Sequence, residues 1–183
     1  EKGSQRLLGA QIVGHEGVDK RIDVLATAMQ AGLPVTALKD LDLAYAPPYA
    51  SAKDPVNLVG FMAENLEQGV VKQFHWEDVA GLPRDGSVTL LDARTPGEYS
   101  GGCAEGFVNV PLDELRDHLG EIAPGKPVYV MCQSGLRSYL ACRILAQDGY
   151  DCYNFSGGYR FYESVLLDRW TRQNAYPCGV ERP

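Results

Sequence analysis

A cysteine followed by a short polar loop is the part of this sequence whose residues could most readily do chemistry. Cys132 follows the apolar run 128–131 and opens the segment Cys-Gln-Ser-Gly-Leu-Arg-Ser at residues 132–138. The pattern predicts a strand, a tight loop and the start of a helix. Converging N–H groups, the positive helix end and the Arg137 guanidinium would each favour the thiolate, the nucleophilic form of cysteine. The loop therefore predicts sulfur or phosphate chemistry.

Each residue of the loop has an expected role in the chemistry. We expect Cys132 to be the nucleophile and Arg137, as the last loop residue, to fold over it and hold the thiolate or a substrate anion. Ser138 can donate its hydroxyl to the sulfur or cap the following helix. A glycine within so tight a loop would supply the backbone freedom that it needs. The predicted substrate-binding residues are Gln133, Ser134, Gly135, Leu136 and Ser138.

Loop length separates two kinds of cysteine enzyme. Cysteine phosphatases typically place roughly five residues between the cysteine and an arginine that binds phosphoryl oxygens, whereas four separate Cys132 from Arg137. A shorter loop gathers its N–H groups into a smaller bowl, which fits one terminal sulfur better than a tetrahedral oxyanion. No general-acid aspartate for a leaving alcohol is evident. These features favour sulfur transfer, with a phosphatase as the alternative.

The composition is that of an acidic globular protein. The 183 residues carry a formal net charge of −7, with 45% hydrophobic and 22% charged residues. This charge argues against a nucleic-acid partner, no apolar run reaches the roughly 20 residues of a membrane span, and no signal peptide is visible. The five cysteines form no CxxC pair or disulfide framework, and the three histidines lack metal-ligand spacing. We expect a cytoplasmic protein without a metal site.

From residue 71 onward, short apolar runs alternate with helical patterns. Strands are predicted at 72–75, 87–91, 107–110, 128–131 and 152–155, and helices at 76–80, 113–122, 138–147 and 159–170. This alternation predicts an α/β domain with a parallel sheet and helices on both faces. In such sheets ligands bind beyond the carboxyl ends of the strands, where Cys132 lies.

Residues 1–70 have a different pattern. It predicts one strand at 6–14, a helix capped by Asp19 that ends at Gly32, a short helix from Pro34 and a helix at 57–67, with a proline-rich stretch at 45–55 between the last two. One strand cannot bury a sheet face alone. The chain starts at Glu1, so we expect the incomplete tail of a larger α+β domain, completed by upstream sequence or a partner chain.

The second segment, 71–183, resembles a rhodanese domain. The matching stretches are Leu-Asp-Ala-Arg-Thr-Pro-Gly-Glu-Tyr at 91–99, Asn-Val-Pro-Leu at 109–112, the 132–138 loop and Ser-Gly-Gly at 156–158. The chain departs from the family pattern at 102–107, where His and Ile-Pro are frequent in the family. The resemblance implies a rhodanese-like fold and a sulfane sulfur carried as a persulfide on Cys132.

The first segment, 1–70, resembles the end of the dimerisation domain of pyridine nucleotide-disulfide oxidoreductases, in their CoA-disulfide reductase branch. The matching stretches are 8–14, 19–23, 43–49 and 53–57. With a rhodanese domain, this implies the C-terminal part of a CoA-disulfide reductase–rhodanese fusion. It also implies a homodimer that uses FAD and NAD(P)H on CoA disulfides, persulfides or polysulfides. Without a GxGxxG motif, this chain alone is expected to bind none of these cofactors. By the same resemblance, Tyr45 reaches the active site of the partner subunit or is an interface residue without chemistry.

Two further expectations follow from residues outside the loop. Asp92, Arg94 and Glu98 are expected to be an ion-pair set that shapes the loop after a strand. Cys103 could resolve a persulfide into a disulfide, or be a bystander. The cysteines expected only to pack or to be inert are Cys142, Cys152 and Cys178.

The sequence thus predicts a sulfurtransferase domain within a persulfide or CoA-disulfide reductase. The alternative of another class is a non-catalytic module that binds sulfur carriers and positions them for the reductase.

Overall fold

The computed structural model describes residues 1–173, and Cys178 lies outside them. The chain divides into two compact units, of which the first spans Glu1–Val70 and the second begins at Val71. The second unit contains the Cys132 loop and a sheet of five parallel strands in the order β1-β5-β4-β2-β3. The strands are β1 Lys72–Phe74, β2 Thr89–Asp92, β3 Val108–Asn109, β4 Val128–Met131 and β5 Cys152–Phe155.

Helices cover both faces of this sheet. They are α3 Trp76–Val79, α4 Pro96–Ser100, α5 Leu136–Gln147 and α6 Gly158–Gln173, with a 3-10 helix at Leu119–Glu121. Side chains of β4 alternate between two cores: Val128 and Val130 pack in the cluster that includes α5, and Met131 in the cluster that includes α3. Such alternation is the period of two of a strand buried on both faces. The predicted rhodanese-like α/β fold is confirmed.

The first unit is built from helices around a small core. Its elements are α1 Val18–Gln30, a 3-10 helix at Val35–Asp40 and α2 Pro55–Glu67. Asp54 caps α2, because its carboxylate accepts from the Val56 N–H at 3.0 Å, and Pro55 occupies the first turn, where no N–H is needed. The buried core residues are Leu25, Ala28, Leu38 and Val56.

Two predicted elements are wrong. The strand expected at 6–14 is absent apart from a single bridge between Arg6 and Pro34, because the described residues offer no neighbouring strand for it to pair with. The helix expected at 113–122 is a series of tight turns. In these turns, N–H groups bond three residues back, as from Leu115 to Leu112 and from His118 to Leu115, so the backbone is wound too tightly for an α-helix.

Candidate functional site

Cys132 lies at the carboxyl end of β4, with its side chain buried under the start of α5. The residue is 0% exposed. Its Sγ accepts hydrogen bonds from the Gly135 N–H at 3.1 Å and from the Ser138 hydroxyl at 3.2 Å. Gly135, the residue before the first turn of α5, has φ 104°, a left-handed conformation that glycine adopts without strain. Two donors aimed at one sulfur stabilise negative charge there.

The first turn of α6 is hydrogen-bonded to the Cys132 loop. The Tyr159 N–H donates to the Cys132 carbonyl at 2.7 Å, and the Arg160 N–H donates to the Gln133 carbonyl at 3.3 Å. Gly158 lies so close to the loop that a Cβ on it would be 2.4 Å from the Ser134 nitrogen. The Gly-Gly pair therefore allows two loops to meet backbone to backbone.

Arg94 is the buried centre of the polar network beside the loop. Its guanidinium pairs with Asp92 at 2.7 Å, and the two side chains are 2% and 0% exposed. It also donates to the Gln133 side chain at 3.3 Å and to the Gly102 carbonyl at 2.7 Å, so it joins the segment after β2 to the Cys132 loop. Burial opposes the charge of Arg94, but the bonds to Asp92 outweigh this and raise its pKa.

Arg137 differs from the prediction in two respects. It lies in the first turn of α5, because the helix begins at Leu136, and is not the end of the loop. Its guanidinium makes two 2.7 Å bonds to the Glu98 carboxylate, a geometry that fixes it beside the sulfur site. These bonds lower the pKa of Glu98 to about 2 and raise that of Arg137, whose charge also faces Cys132. The guanidinium interacts with the Cys132 sulfur through its positive charge and not through a hydrogen bond, and the Glu98 carboxylate offsets part of that charge.

The predicted ion-pair set is therefore present as two pairs, Asp92 with Arg94 and Glu98 with Arg137. Sequence reasoning missed that Glu98 pairs with Arg137 across 39 residues. It also missed the part of Gly158, although a Gly-Gly pair directly after a strand is a recognisable sign of close backbone approach. The structure brings together Cys132, Gln133, Ser134, Gly135, Leu136, Arg137 and Ser138 at one end of the sheet.

Cys103 lies at the rim of this polar network and is exposed. A hydrogen bond with Cys103 is the main cause that raises the pKa of Tyr99, whose hydroxyl donates to the Phe107 carbonyl at 2.6 Å. Both expectations for Cys103, a resolving thiol or a bystander, stay predictions.

Tyr45 lies in the first unit and is 53% exposed. It lines an open cavity of about 420 Å³ together with Lys20, Pro48 and Tyr49, and the Lys20 ammonium donates to the Ala44 carbonyl at 3.4 Å. The arrangement leaves the Tyr45 side chain available to another group.

Residues 1–173 hold neither a metal-binding cluster nor a membrane-spanning helix. No three histidine, cysteine or carboxylate side chains within this range are placed to hold a metal ion. No helix of the same part is long and apolar enough to cross a membrane. A dinucleotide-binding site would need a glycine-rich phosphate-binding turn after a strand. β4 is followed instead by Cys-Gln-Ser-Gly-Leu-Arg, so this loop does not fit FAD or NAD(P)H.

Family profiles match both units. The rhodanese-like domain matches residues 75–164, and the pyridine nucleotide-disulphide oxidoreductase dimerisation domain matches residues 1–55. The coenzyme A disulfide reductase of Staphylococcus epidermidis is 48% identical over 64 residues, which are 35% of this chain and 15% of that protein.

Two solved structures match most of the chain. Reduced Bacillus anthracis CoADR-RHD is 47% identical with a TM-score of 0.80, over 84% of this chain and 28% of that one. A NAD-dependent persulfide reductase from A. fulgidus is 41% identical with a TM-score of 0.75, over 88% and 28%. The chain thus spans less than a third of the length of these relatives. It consists of a rhodanese-like domain preceded by part of an oxidoreductase dimerisation domain, which confirms the predicted resemblance to the C-terminal part of a CoA-disulfide reductase–rhodanese fusion.

Proposed function

We propose that Cys132 carries sulfane sulfur as a persulfide. The observation that supports this best is the pair of donors, the Gly135 N–H and the Ser138 hydroxyl, converging on one buried sulfur. The thiolate attacks the outer sulfur of a donor persulfide RSSH, which forms Cys132–S–SH and releases RS⁻. An acceptor thiolate then takes the outer sulfur and restores the Cys132 thiolate, a two-step cycle in which the enzyme is a covalent carrier.

The surrounding residues stabilise the sulfur anion at both steps. The Gly135 and Ser138 donors act as an oxyanion hole acts on oxygen, and the Arg137 charge adds to them. The bidentate bond to Glu98 holds Arg137 to one side, so that its guanidinium need not be displaced when a second sulfur is added.

Mass spectrometry after exposure to a polysulfide tests the persulfide directly. Trypsin releases Cys132 in the peptide 117–137, which contains no other cysteine. After alkylation we expect that peptide to gain one sulfur, and the gain to be absent from the Cys132→Ser variant. A sulfur adduct on another cysteine, with none on 117–137, would overturn the proposal.

The activity of the longer protein is a second part of the proposal. The matches to a CoA disulfide reductase and a persulfide reductase support a homodimeric reductase in which FAD and NAD(P)H, bound outside this chain, supply the electrons. Its sulfane-sulfur donor would be CoA persulfide or polysulfide, and its acceptor thiol would be CoA or the reductase's own cysteine. The half-exposed Tyr45 would contribute to the active site of the partner subunit. A cytoplasmic location stays a prediction.

The Cys132→Ser variant of the full-length reductase separates catalysis from mere positioning. If Cys132 carries the sulfur, persulfide and polysulfide reduction should fall strongly while reduction of CoA disulfide is kept. Unchanged persulfide reduction would favour the non-catalytic sulfur-carrier module. Hydrolysis of an aryl phosphate by the unmodified protein would favour the phosphatase.

A further inference from the structure

Two further buried cysteines, Cys142 and Cys152, pack in the same core cluster as Cys132, and their side chains are hydrogen-bond partners. Cys142 is on the inner side of α5 and 2% exposed, and Cys152 is the first residue of β5 and 8% exposed. The Cys152 thiol donates to the Cys142 carbonyl at 3.1 Å. The sequence assigned both to packing, which explains their burial but not why two thiols face each other.

The contact makes the two thiols chemically unequal. A hydrogen bond between the side chains raises the pKa of Cys142, and burial raises it further. The same bond lowers the pKa of Cys152, because the Cys142 thiol can donate to the Cys152 thiolate. Cys152 is therefore the thiol that ionises first, and it is the better nucleophile of the two.

The pair lies at the end of the sheet opposite the Cys132 loop. In the register of β4 and β5, Cys152 is opposite Val128, four residues before Cys132 along a strand that rises about 3.3 Å per residue. Its neighbours are Asp151 and Lys72, whose side chains are 48% and 53% exposed. Asp151 and Lys72 form an ion pair at 2.6 Å, so Cys152 lies one residue from a half-exposed, charge-balanced edge of the sheet.

We propose that Cys142 and Cys152 are a redox-active dithiol, a second sulfur site distinct from Cys132, which sulfane sulfur oxidises to a disulfide. The Cys152 thiolate attacks a persulfide RSSH, forms Cys152–S–SH and releases RS⁻. The Cys142 thiol then attacks the Sγ of Cys152, and its proton leaves with the displaced HS⁻ as H₂S, which leaves the Cys142–Cys152 disulfide. The two thiols lose two electrons, and one sulfane sulfur is reduced to sulfide. A thiol reductant restores the pair.

The bond would join two elements that both lead to the Cys132 loop. α5 starts at that loop, and β5 leads into the start of α6, which is hydrogen-bonded to the loop. The disulfide closes a loop of the chain from Cys142 to Cys152 and fixes the helix on the strand. Exposure to sulfane sulfur would thus produce a covalent bond between α5 and β5.

Peptide mapping of the full chain tests this site without Cys132. In the Cys132→Ser variant, trypsin cleaves after Arg143 and separates peptides 138–143 and 144–160, each with a single cysteine. After sodium tetrasulfide, removal of excess reagent and alkylation in denaturant, we expect these peptides to be recovered joined by a disulfide. Dithiothreitol should return them as two alkylated peptides. The joined pair should also form in the Cys103→Ser, Cys132→Ser double variant.

The outcomes distinguish this site from the persulfide on Cys132. Recovery of 138–143 and 144–160 as separate alkylated peptides after tetrasulfide would overturn the dithiol, whatever happens at Cys132. Equal joining of either peptide to those of Cys103 or Cys178 would also overturn it, because it would show scrambling and not a preformed pair. Circular dichroism of the treated protein before digestion should match that of the untreated protein.

Discussion

Ser138 connects the start of α5 to the reactive sulfur. Its hydroxyl is 3.2 Å from both the Cys132 Sγ and the Gly135 carbonyl, and the residue is 0% exposed. Sequence reasoning left open whether it caps the helix or contacts the sulfur, and the structure shows the sulfur contact together with a bond to the backbone of the loop.

Removing that hydroxyl should slow sulfur transfer more than it destabilises the fold. A hydrogen bond to a charged group contributes about 1.5–3 kcal/mol, so we expect Ser138→Ala to lower kcat of a thiosulfate or persulfide transfer assay about 10- to 100-fold. Ser164→Ala is the matched control, since that hydroxyl bonds the Arg160 carbonyl on an exposed helix face far from any sulfur contact. Equal rates for both variants would show that Ser138 only supports the backbone.

The ion pair of Glu98 makes the stability of the fold depend on pH. Its pKa is lowered to about 2, mainly by Arg137, from about 4.3 in an unfolded chain. A carboxylate with a lowered pKa stabilises the fold above the unfolded pKa, and this stability is lost as the pH falls from about 4 toward 2. The side chain is 33% exposed, so solvent screening limits the effect to about 1 kcal/mol.

Thermal unfolding at two pH values checks this sign. Glu98→Gln should lower Tm by a few degrees at pH 6 and by less at pH 3, because the carboxyl of the unfolded chain is already protonated at pH 3 and part of the stabilisation is lost. The exposed Glu114→Gln should leave Tm nearly unchanged at pH 6. A Glu98→Gln deficit that grew toward low pH would contradict the assignment.

Two elements, the start of α6 and the Cys132 loop, approach each other backbone to backbone at Gly158. Gly158 has φ 72°, and a Cβ there would lie 2.4 Å from the Ser134 nitrogen and 2.5 Å from the Gln133 carbonyl carbon. Neither contact involves a flexible side chain, so one of the two loops must move.

Gly158→Ala should therefore damage the site beyond its effect on the backbone conformation. The left-handed conformation alone costs an alanine about 1–2 kcal/mol. Gly149→Ala carries the same kind of cost and serves as the control, since Gly149 has φ 83° and a Cβ added there would meet no atom within 4 Å. We expect both variants to lose stability in urea unfolding, and only Gly158→Ala to lose most of its transfer rate. Similar rates would show that the loop does not depend on this contact.

Elements with strong local signals could be predicted, and those that depend on distant partners could not. β4 and β5 match their predicted ranges, because continuous apolar runs next to turn residues leave little choice of structure. The strand expected at 6–14 depended on a neighbour that residues 1–173 do not provide. In the same way Cys132 and its loop were predictable from local spacing, whereas the pairing of Arg137 with Glu98 depended on how β2 and β4 lie side by side.

At the scale of the whole molecule, each unit has a core of its own. Leu38 belongs to the first core and Leu145 to the second, and both are 0% exposed. We therefore expect a core mutation in one unit to lower the unfolding temperature of that unit and to leave that of the other unchanged.

Paired truncations of these two leucines test that boundary. Replacing a buried leucine by alanine costs about 2–5 kcal/mol. Calorimetry of Leu38→Ala should show a lowered unfolding transition for the first unit, with the transition of the second unit and the sulfur-transfer rate kept. Leu145→Ala should do the reverse, because Leu145 packs in the same cluster as Cys132. If Leu38→Ala lowered the whole unfolding profile and the transfer rate together, the two units would be a single cooperative domain, and the sulfur site would depend on the first unit for its stability.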